Sequence, residues 1–189
     1  MKNNSEDIKE TIDNRFSEIL FDKNDIEKAA QRVAEQINND YVNTTPVLVV
    51  VLKGAVMWAG DLFKYVSIDA ETDFINISSY KGGTKSSGQI ELITDLTVDI
   101  NGRDVILIED IVDTGLSLDY LKKMLVNERG AKSVAVATML NKNAVRKADV
   151  SVEYVGFDID DVFIVGYGLD YKEIWRNIPF VGIINPEVI

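Results

Sequence analysis

Two apolar runs stand out along the chain, Val47–Leu52 and residues 105–108, and neither shows the alternation of a half-exposed strand. Runs this continuous predict central strands of a parallel sheet, covered on both faces. Other segments carry different periods. Ile26, Ala29, Ala30, Val33 and Ile37 recur at helical spacing behind Asp22-Lys23-Asn24-Asp25, which offers Asn or Asp as an N-cap. Val56, Ala59, Leu62, Phe63 and Val66 predict a helix over 55–66, and Leu118, Leu121 and Leu125 predict another after residue 115. Residues 74–78 alternate as a strand, 80–89 form a Gly/Ser/Lys loop, and 90–93 return as a strand. Asn101-Gly102 marks a turn, and short strands are expected at 133–140, 154–157, 162–165 and 180–184. Strands alternating with helices predict an α/β fold around a central, mostly parallel sheet with right-handed crossovers. No repeat, linker or low-complexity tract divides the 189 residues, a length that suits a single domain.

Composition narrows the chemistry. With no cysteine and no histidine, disulfides, thiolate catalysis, Ser-His pairs and the usual zinc ligands are excluded. Proton transfer then falls to carboxylate, Lys or Tyr. Any metal would be held by oxygen, which favours Mg²⁺. The net charge of −11 argues against a nucleic-acid surface, which needs clustered Lys and Arg. Its simplest reading is solubility. The polar start at 1–7 has no apolar segment of a secretory signal, and the longest apolar runs are strand-sized. No membrane association is expected, and the cytoplasm is the expected compartment.

The second apolar run ends in Glu109-Asp110, followed by Ile111-Val112-Asp113-Thr114-Gly115-Leu116-Ser117 and the third helical pattern. A buried strand, an acidic loop and a helix start make up the place where an open α/β sheet binds its ligand. Thr114, Gly115 and Ser117 are small enough to leave backbone N–H groups uncovered at a helix N-terminus, which suits a phosphate. Acids in the same loop repel phosphate unless a metal, sugar hydroxyls or a proton occupies them. Phosphate, ribose and metal together satisfy both halves of the loop. Consecutive strand residues point to opposite faces, so Glu109 and Asp110 take different roles.

The stretch Ile108-Glu109-Asp110-Ile111-Val112-Asp113-Thr114-Gly115 resembles the phosphoribosyl-pyrophosphate (PRPP) loop of the purine phosphoribosyltransferases, and the hypoxanthine-guanine branch matches best. Leu52-Lys53-Gly54-Ala55, the 78–88 loop, Lys142, and the segment from Val155-Gly156-Phe157 through Val165-Gly166-Tyr167-Gly168-Leu169-Asp170-Tyr171 extend the likeness over about 17–184. The resemblance implies a type I PRPP-binding fold with a core at about 23–165 and a small hood from about 1–22 and 166–189. It also implies roles for individual residues. Lys53, Gly54, Ser79, Tyr80 and Arg176 would hold pyrophosphate, with an unusual backbone geometry before Gly54. Glu109 and Asp110 would approach the ribose hydroxyls directly or through Mg²⁺. The backbone of 113–117, including Leu116, would cradle the 5′-phosphate with the Thr114 and Ser117 hydroxyls. Asp113 would take or share the proton on purine N7. Lys142 would donate to the oxygen at purine C6, Phe163 would stack on the base, Ile164 would offer backbone groups to its edge, and Asp170 would lie near a second Mg²⁺. The family's Asp-Lys-Pro is replaced here by Asn141-Lys142-Asn143, a departure that bears on the loop's shape but leaves its cation.

Each of these residues also has a plainer reading. Lys142 and Arg176 could be surface cations, Phe163 a core aromatic, and Lys53-Gly54 a strand end followed by a helix start. Lys81 to Gly88 is not a P-loop, because Thr84 precedes Lys85 and no helix follows. Residues 166–171 lack the third glycine of a dinucleotide fingerprint. The 80–89 loop has little to bury and is expected to be a mobile lid over PRPP. The resulting expectation is a Mg²⁺-dependent transferase joining hypoxanthine or guanine to PRPP, assembled as a homodimer or homotetramer. The alternatives are a xanthine- or pyrimidine-preferring enzyme, or a PRPP-sensing regulator on the same fold. A regulator would need a basic face or an added DNA-binding module, and this acidic chain shows neither.

Overall fold

The computed structural model describes residues 14–79 and 90–188. The expected lid at 80–89, including Tyr80, lies outside the described residues. Nine strands and three α-helices follow one another as β1 (Phe16–Phe21), α1 (Lys23–Asp40), β2 (Val47–Leu52), α2 (Val56–Phe63), β3 (Glu71–Ser79), β4 (Ile90–Thr94), β5 (Asp104–Val112), α3 (Leu116–Asn127), β6 (Ser133–Asn141), β7 (Tyr154–Asp158), β8 (Ile164–Val165) and β9 (Val181–Ile184) among the described residues. Two single turns of 3-10 helix, Asn143–Val145 and Pro186–Val188, complete the list.

The main sheet has the order β4-β3-β2-β5-β6-β7. All its neighbours are parallel except the β3–β4 pair. The two continuous apolar runs sit side by side at its centre, in register from Val47 opposite Val105 to Val50 opposite Ile108. Period-two alternation then divides their side chains between two layers. Leu48, Val50, Ile106 and Ile108 pack under α1 and α2 with Ile26, Val33, Trp58 and Leu62. Val47, Val49, Val105 and Leu107 pack under α3 with Leu118, Leu121 and Leu125.

Local chemistry sets the helix ends. Asp22 caps α1 by accepting N–H bonds from Asn24 (2.7 Å) and Asp25 (3.0 Å), and the Asp25 carboxylate accepts from Asp22 N–H in return. Helix α2 stops at Phe63, short of the expected 66, because Lys64 and Tyr65 N–H bond back three residues and tighten the last turn. The strand expected at 162–165 pairs only at Ile164–Val165, since Val162 is held in a turn by Asp160. Those two residues join β9 and β1 in a second, three-stranded antiparallel sheet, order β1-β9-β8. No helix among the described residues is long and apolar enough to cross a membrane.

From β2 the chain moves outward to β3, and β5 is inserted on the opposite side of β2. The crevice beyond the carboxyl ends of β2 and β5 is therefore the switch point of the sheet, where α/β folds place ligands. Lys53-Gly54 and Glu109-Asp110 both emerge there.

Candidate active site

Gly54 and Asp110 are in close contact. A Cβ built on Gly54 would stand 1.7 Å from Asp110 Oδ2, so only glycine permits this approach. The peptide bond between Leu52 and Lys53 is cis. Gly168, at φ +101, approaches from the other side, where a Cβ would meet the Gly54 carbonyl at 2.0 Å. Two glycines thus bring the β2–α2 loop, the end of β5 and the 166–178 segment together.

That segment supplies Asp170 and Arg176. Arg176 pairs with Asp170 at 2.7 Å and donates to the Gly168 carbonyl at 2.8 Å. Both lie within electrostatic range of Asp110, with Arg176 lowering and Asp170 raising its pKa. Burial is the larger effect and pushes Asp110 up to about 6. Burial also raises Glu109 well above the usual carboxylate range, helped by the neighbouring Asp110 and Asp113 charges. The two adjacent acids therefore differ, as strand geometry requires. Asp110 faces the Gly54–Arg176 side, and the charges felt by Glu109 come from Asp110 in the same strand and Asp113 just beyond its end.

The expected phosphate cradle is built from the far side. Val112 O accepts from Lys142 N (2.9 Å) and Arg146 Nη2 (3.3 Å), and Asp113 O accepts from Arg146 Nε (3.0 Å). Thr114 O accepts from Lys147 N (2.9 Å) and Ala148 N (3.1 Å). Three successive carbonyls of the loop are thereby held toward 142–148. Gly115 takes φ +76 as the N-cap of α3 and has no side chain to occupy the first-turn N–H groups. Leu116 and Ser117 are exposed in that first turn. The exposed Asp113 uses Oδ1 to accept the Thr114 N–H at 2.5 Å, which leaves its other oxygen for a ligand.

Arg146 was not marked by local sequence. Besides the loop carbonyls it donates to Asn141 Oδ1 at 2.6 Å, and Asn141 in turn donates to Asp158 at 2.7 Å. Asn143 also reaches Asp158, at 3.3 Å. The Asn141-Lys142-Asn143 departure is thus absorbed in a polar network. Lys142 itself is largely buried, donating to Val162 O (2.5 Å) and pairing with Asp161 (3.4 Å). Phe163 follows directly and is 52% exposed, its ring edge-on to Tyr171 at 6.1 Å. Phe163 is thus not a core residue, and its open ring lies beside an anchored cation. Ile164 is buried in β8, opposite Ile183. Ser79 ends β3, its backbone paired with Ile90. A cavity of about 720 Å³ between β1 and the 158–162 segment shares Asn141, Asn143 and Val162 with this region. Its lining includes Glu18, Asp158 and Asp160 but none of Glu109, Asp110, Asp113 and Asp170, which gather at the switch point instead.

The oxygen donors suit Mg²⁺. Among the described residues no three acids cluster as a ready-made metal cage, but Mg²⁺ commonly takes one or two carboxylates and completes its shell with substrate phosphates and water. Glu109, Asp110 and Asp170 could supply those carboxylates.

Comparison with known proteins agrees with this geometry. The phosphoribosyl transferase domain family matches residues 17–172. The hypoxanthine-guanine phosphoribosyltransferase of Bacillus subtilis is 42% identical over 173 residues, covering 92% of this chain and 96% of that protein. The enzyme of the same name from Streptococcus thermophilus is 43% identical over 177 residues, covering 94% and 98%. A crystal structure of a Staphylococcus aureus hypoxanthine phosphoribosyltransferase superposes with a TM-score of 0.87 at 38% identity, covering 100% of this chain and 98% of that one. With the switch-point loop, the facing cations and this near full-length similarity in agreement, the chain belongs to the phosphoribosyltransferase family, in its hypoxanthine-guanine branch.

Proposed function

We propose that this protein is a purine-salvage enzyme that transfers the phosphoribosyl group of PRPP to hypoxanthine or guanine, releasing inosine or guanosine monophosphate and pyrophosphate. The observation that carries this reading is the convergence at one switch point of the Gly115 loop at the start of α3, the adjacent carboxyls Glu109 and Asp110, and the Arg176 cation paired with Asp170. The loop at 113–117 binds the 5′-phosphate, Glu109 and Asp110 serve the ribose hydroxyls directly or through Mg²⁺, and Lys53, Gly54, Ser79, Tyr80 and Arg176 hold the pyrophosphate. Phe163 stacks on the base, Ile164 presents backbone to its edge, and Lys142 donates to the C6 oxygen. Adenine carries an amine at C6 and offers Lys142 no acceptor there.

Purine N9 bonds to ribose C1 as the C1–O bond to pyrophosphate breaks with its electron pair. The proton on N7 passes to Asp113. Positive charge develops on the ribose ring and negative charge on the leaving group, which Arg176 is positioned to stabilise. Mg²⁺, when bound through Glu109, Asp110 or Asp170 and the substrate phosphates, would neutralise further leaving-group charge. The chain works as one domain whose three-stranded sheet forms a hood over the site. Apolar side chains exposed on the β2–α2–β3 unit (Val56, Met57 and Phe74) support assembly as a dimer or tetramer. The deciding assay is product formation from PRPP and Mg²⁺ with hypoxanthine, guanine, xanthine, adenine and orotate in turn. Turnover of hypoxanthine or guanine should exceed that of adenine and orotate, and the reverse order would overturn the reading.

A further inference from the structure

The two cationic residues of the pyrophosphate end are both held by Glu173. Its Oε2 pairs with Lys53 Nζ at 2.9 Å, and its Oε1 lies 3.4 Å from Arg176 Nη2. Lys53 and Glu173 are both well exposed, at 64% and 67% of their side-chain surface. The backbone that delivers Glu173 is unusual in its own right. Tyr171 and Ile174 exchange hydrogen bonds of 3.0 and 3.1 Å across a two-residue turn. Lys172 and Glu173, at its centre, have φ of 51° and 67°. Two central residues with positive φ follow the type I′ pattern, for which Asn-Gly is the favoured pair. The turn is clamped further where Asp170 Oδ2 accepts Glu173 N–H at 2.9 Å. A carboxylate is kept where the backbone favours glycine, and it meets both cations.

We infer that Glu173 is an internal stand-in for pyrophosphate, an anion that neutralises Lys53 and Arg176 in the empty site and must be displaced when PRPP or pyrophosphate binds. This rests on the phosphoribosyltransferase reading above and deepens it. Such a residue weakens pyrophosphate affinity and hastens product release. An exposed ion pair is weak enough to be exchanged for a ligand with several charged oxygens. The Asp170–Arg176 pair does not need Glu173 and would keep Arg176 in place during the exchange.

The test is calorimetric binding of pyrophosphate and of PRPP, with Mg²⁺ present, to the wild-type protein, Glu173→Gln and Glu173→Asp, together with steady-state kinetics. Glu173→Gln should bind pyrophosphate roughly 3- to 10-fold more tightly, the range expected on freeing exposed charge pairs. KM for PRPP should fall in parallel, with KM for the purine unchanged. Glu173→Asp keeps the charge but loses a methylene of reach, so it should shift in the same direction. If Asp behaves as wild type while Gln binds more tightly, the effect is the general field of a nearby charge, and the stand-in role is overturned. Unchanged or weaker pyrophosphate binding in both variants overturns it as well. Absence of PRPP and pyrophosphate binding by the wild-type protein would instead remove the phosphoribosyltransferase reading on which it rests.

Discussion

Asp113 and Arg146 show how differently two side chains that meet at one loop can act. Asp113 is exposed, with one oxygen committed to its own loop, and it carries the proton transfer in the proposed reaction. Asp113→Asn should therefore lower kcat by roughly 10²-fold or more, the usual scale for a lost general base. KM for PRPP should change far less, because the proposed phosphate cradle is mainly backbone. Steady-state kinetics on the folded variant check this, and an unchanged kcat would remove Asp113 from the chemistry. Arg146 touches no substrate in this scheme. It holds the carbonyls of Val112 and Asp113, and its Cδ would lie 2.9 Å from a Cβ on Gly115. Lysine keeps the charge but not the planar fork. Arg146→Lys should consequently raise KM for PRPP several-fold more than KM for the purine, and an equal effect on both would argue against a positioning role. Asp113 was legible from residue type and loop position, whereas Arg146 sits in a polar stretch with nothing local to distinguish it.

Among the elements, β3 depends on a buried charge. Asp73 is 6% exposed and accepts N–H bonds from Phe74 (2.8 Å), Thr97 (2.6 Å) and Val98 (2.8 Å). Burial alone would raise its pKa, but these bonds and the Thr97 hydroxyl outweigh it and hold the carboxyl below its ordinary value. The folded chain thus keeps Asp73 ionised at a pH where the unfolded chain has begun to take up a proton. Its stabilising contribution is complete above the unfolded value near ~3.9 and is lost as pH falls through the lower folded value. Asp73→Asn, which places an amide donor among N–H donors, should cost about 1–3 kcal/mol at neutral pH and flatten the acid side of the stability profile. Urea unfolding between pH 3 and 7 tests both effects, and parallel profiles for the two proteins would count against this account. The β strands themselves were readable from apolar runs, since burial on both faces leaves a continuous pattern. Strands were also expected at 162–165 and 180–184, where β8 and β9 lie, but no period showed that they would join β1 in a second sheet, because pairing between strands far apart in the chain leaves no local pattern.

For the molecule as a whole, ligand and metal should act together. PRPP with Mg²⁺ should raise the unfolding temperature, by an amount equivalent to about 2.7 kcal/mol at a hundredfold excess over Kd. Chelation should remove both the activity and most of that shift, and full activity in exhaustively chelated protein would contradict the metal requirement. The order of strands and helices, the absence of His and Cys chemistry, and the acid loop at a strand end could all be read from the chain, because apolar period and residue type are local properties. Long-range contacts were different in kind. Lys53 meets Glu173 across 120 residues, and Arg146 meets Asp113 across 33. Neither pairing has a local period or motif to announce it. The order of strands in the sheet brings the ends of β2 and β5 side by side, and the close approach at Gly54 and Gly168 carries the 170–176 segment onto them. Charges spread along the chain become one site through that closure, since an ion pair or hydrogen bond depends on distance in space and not on spacing in sequence.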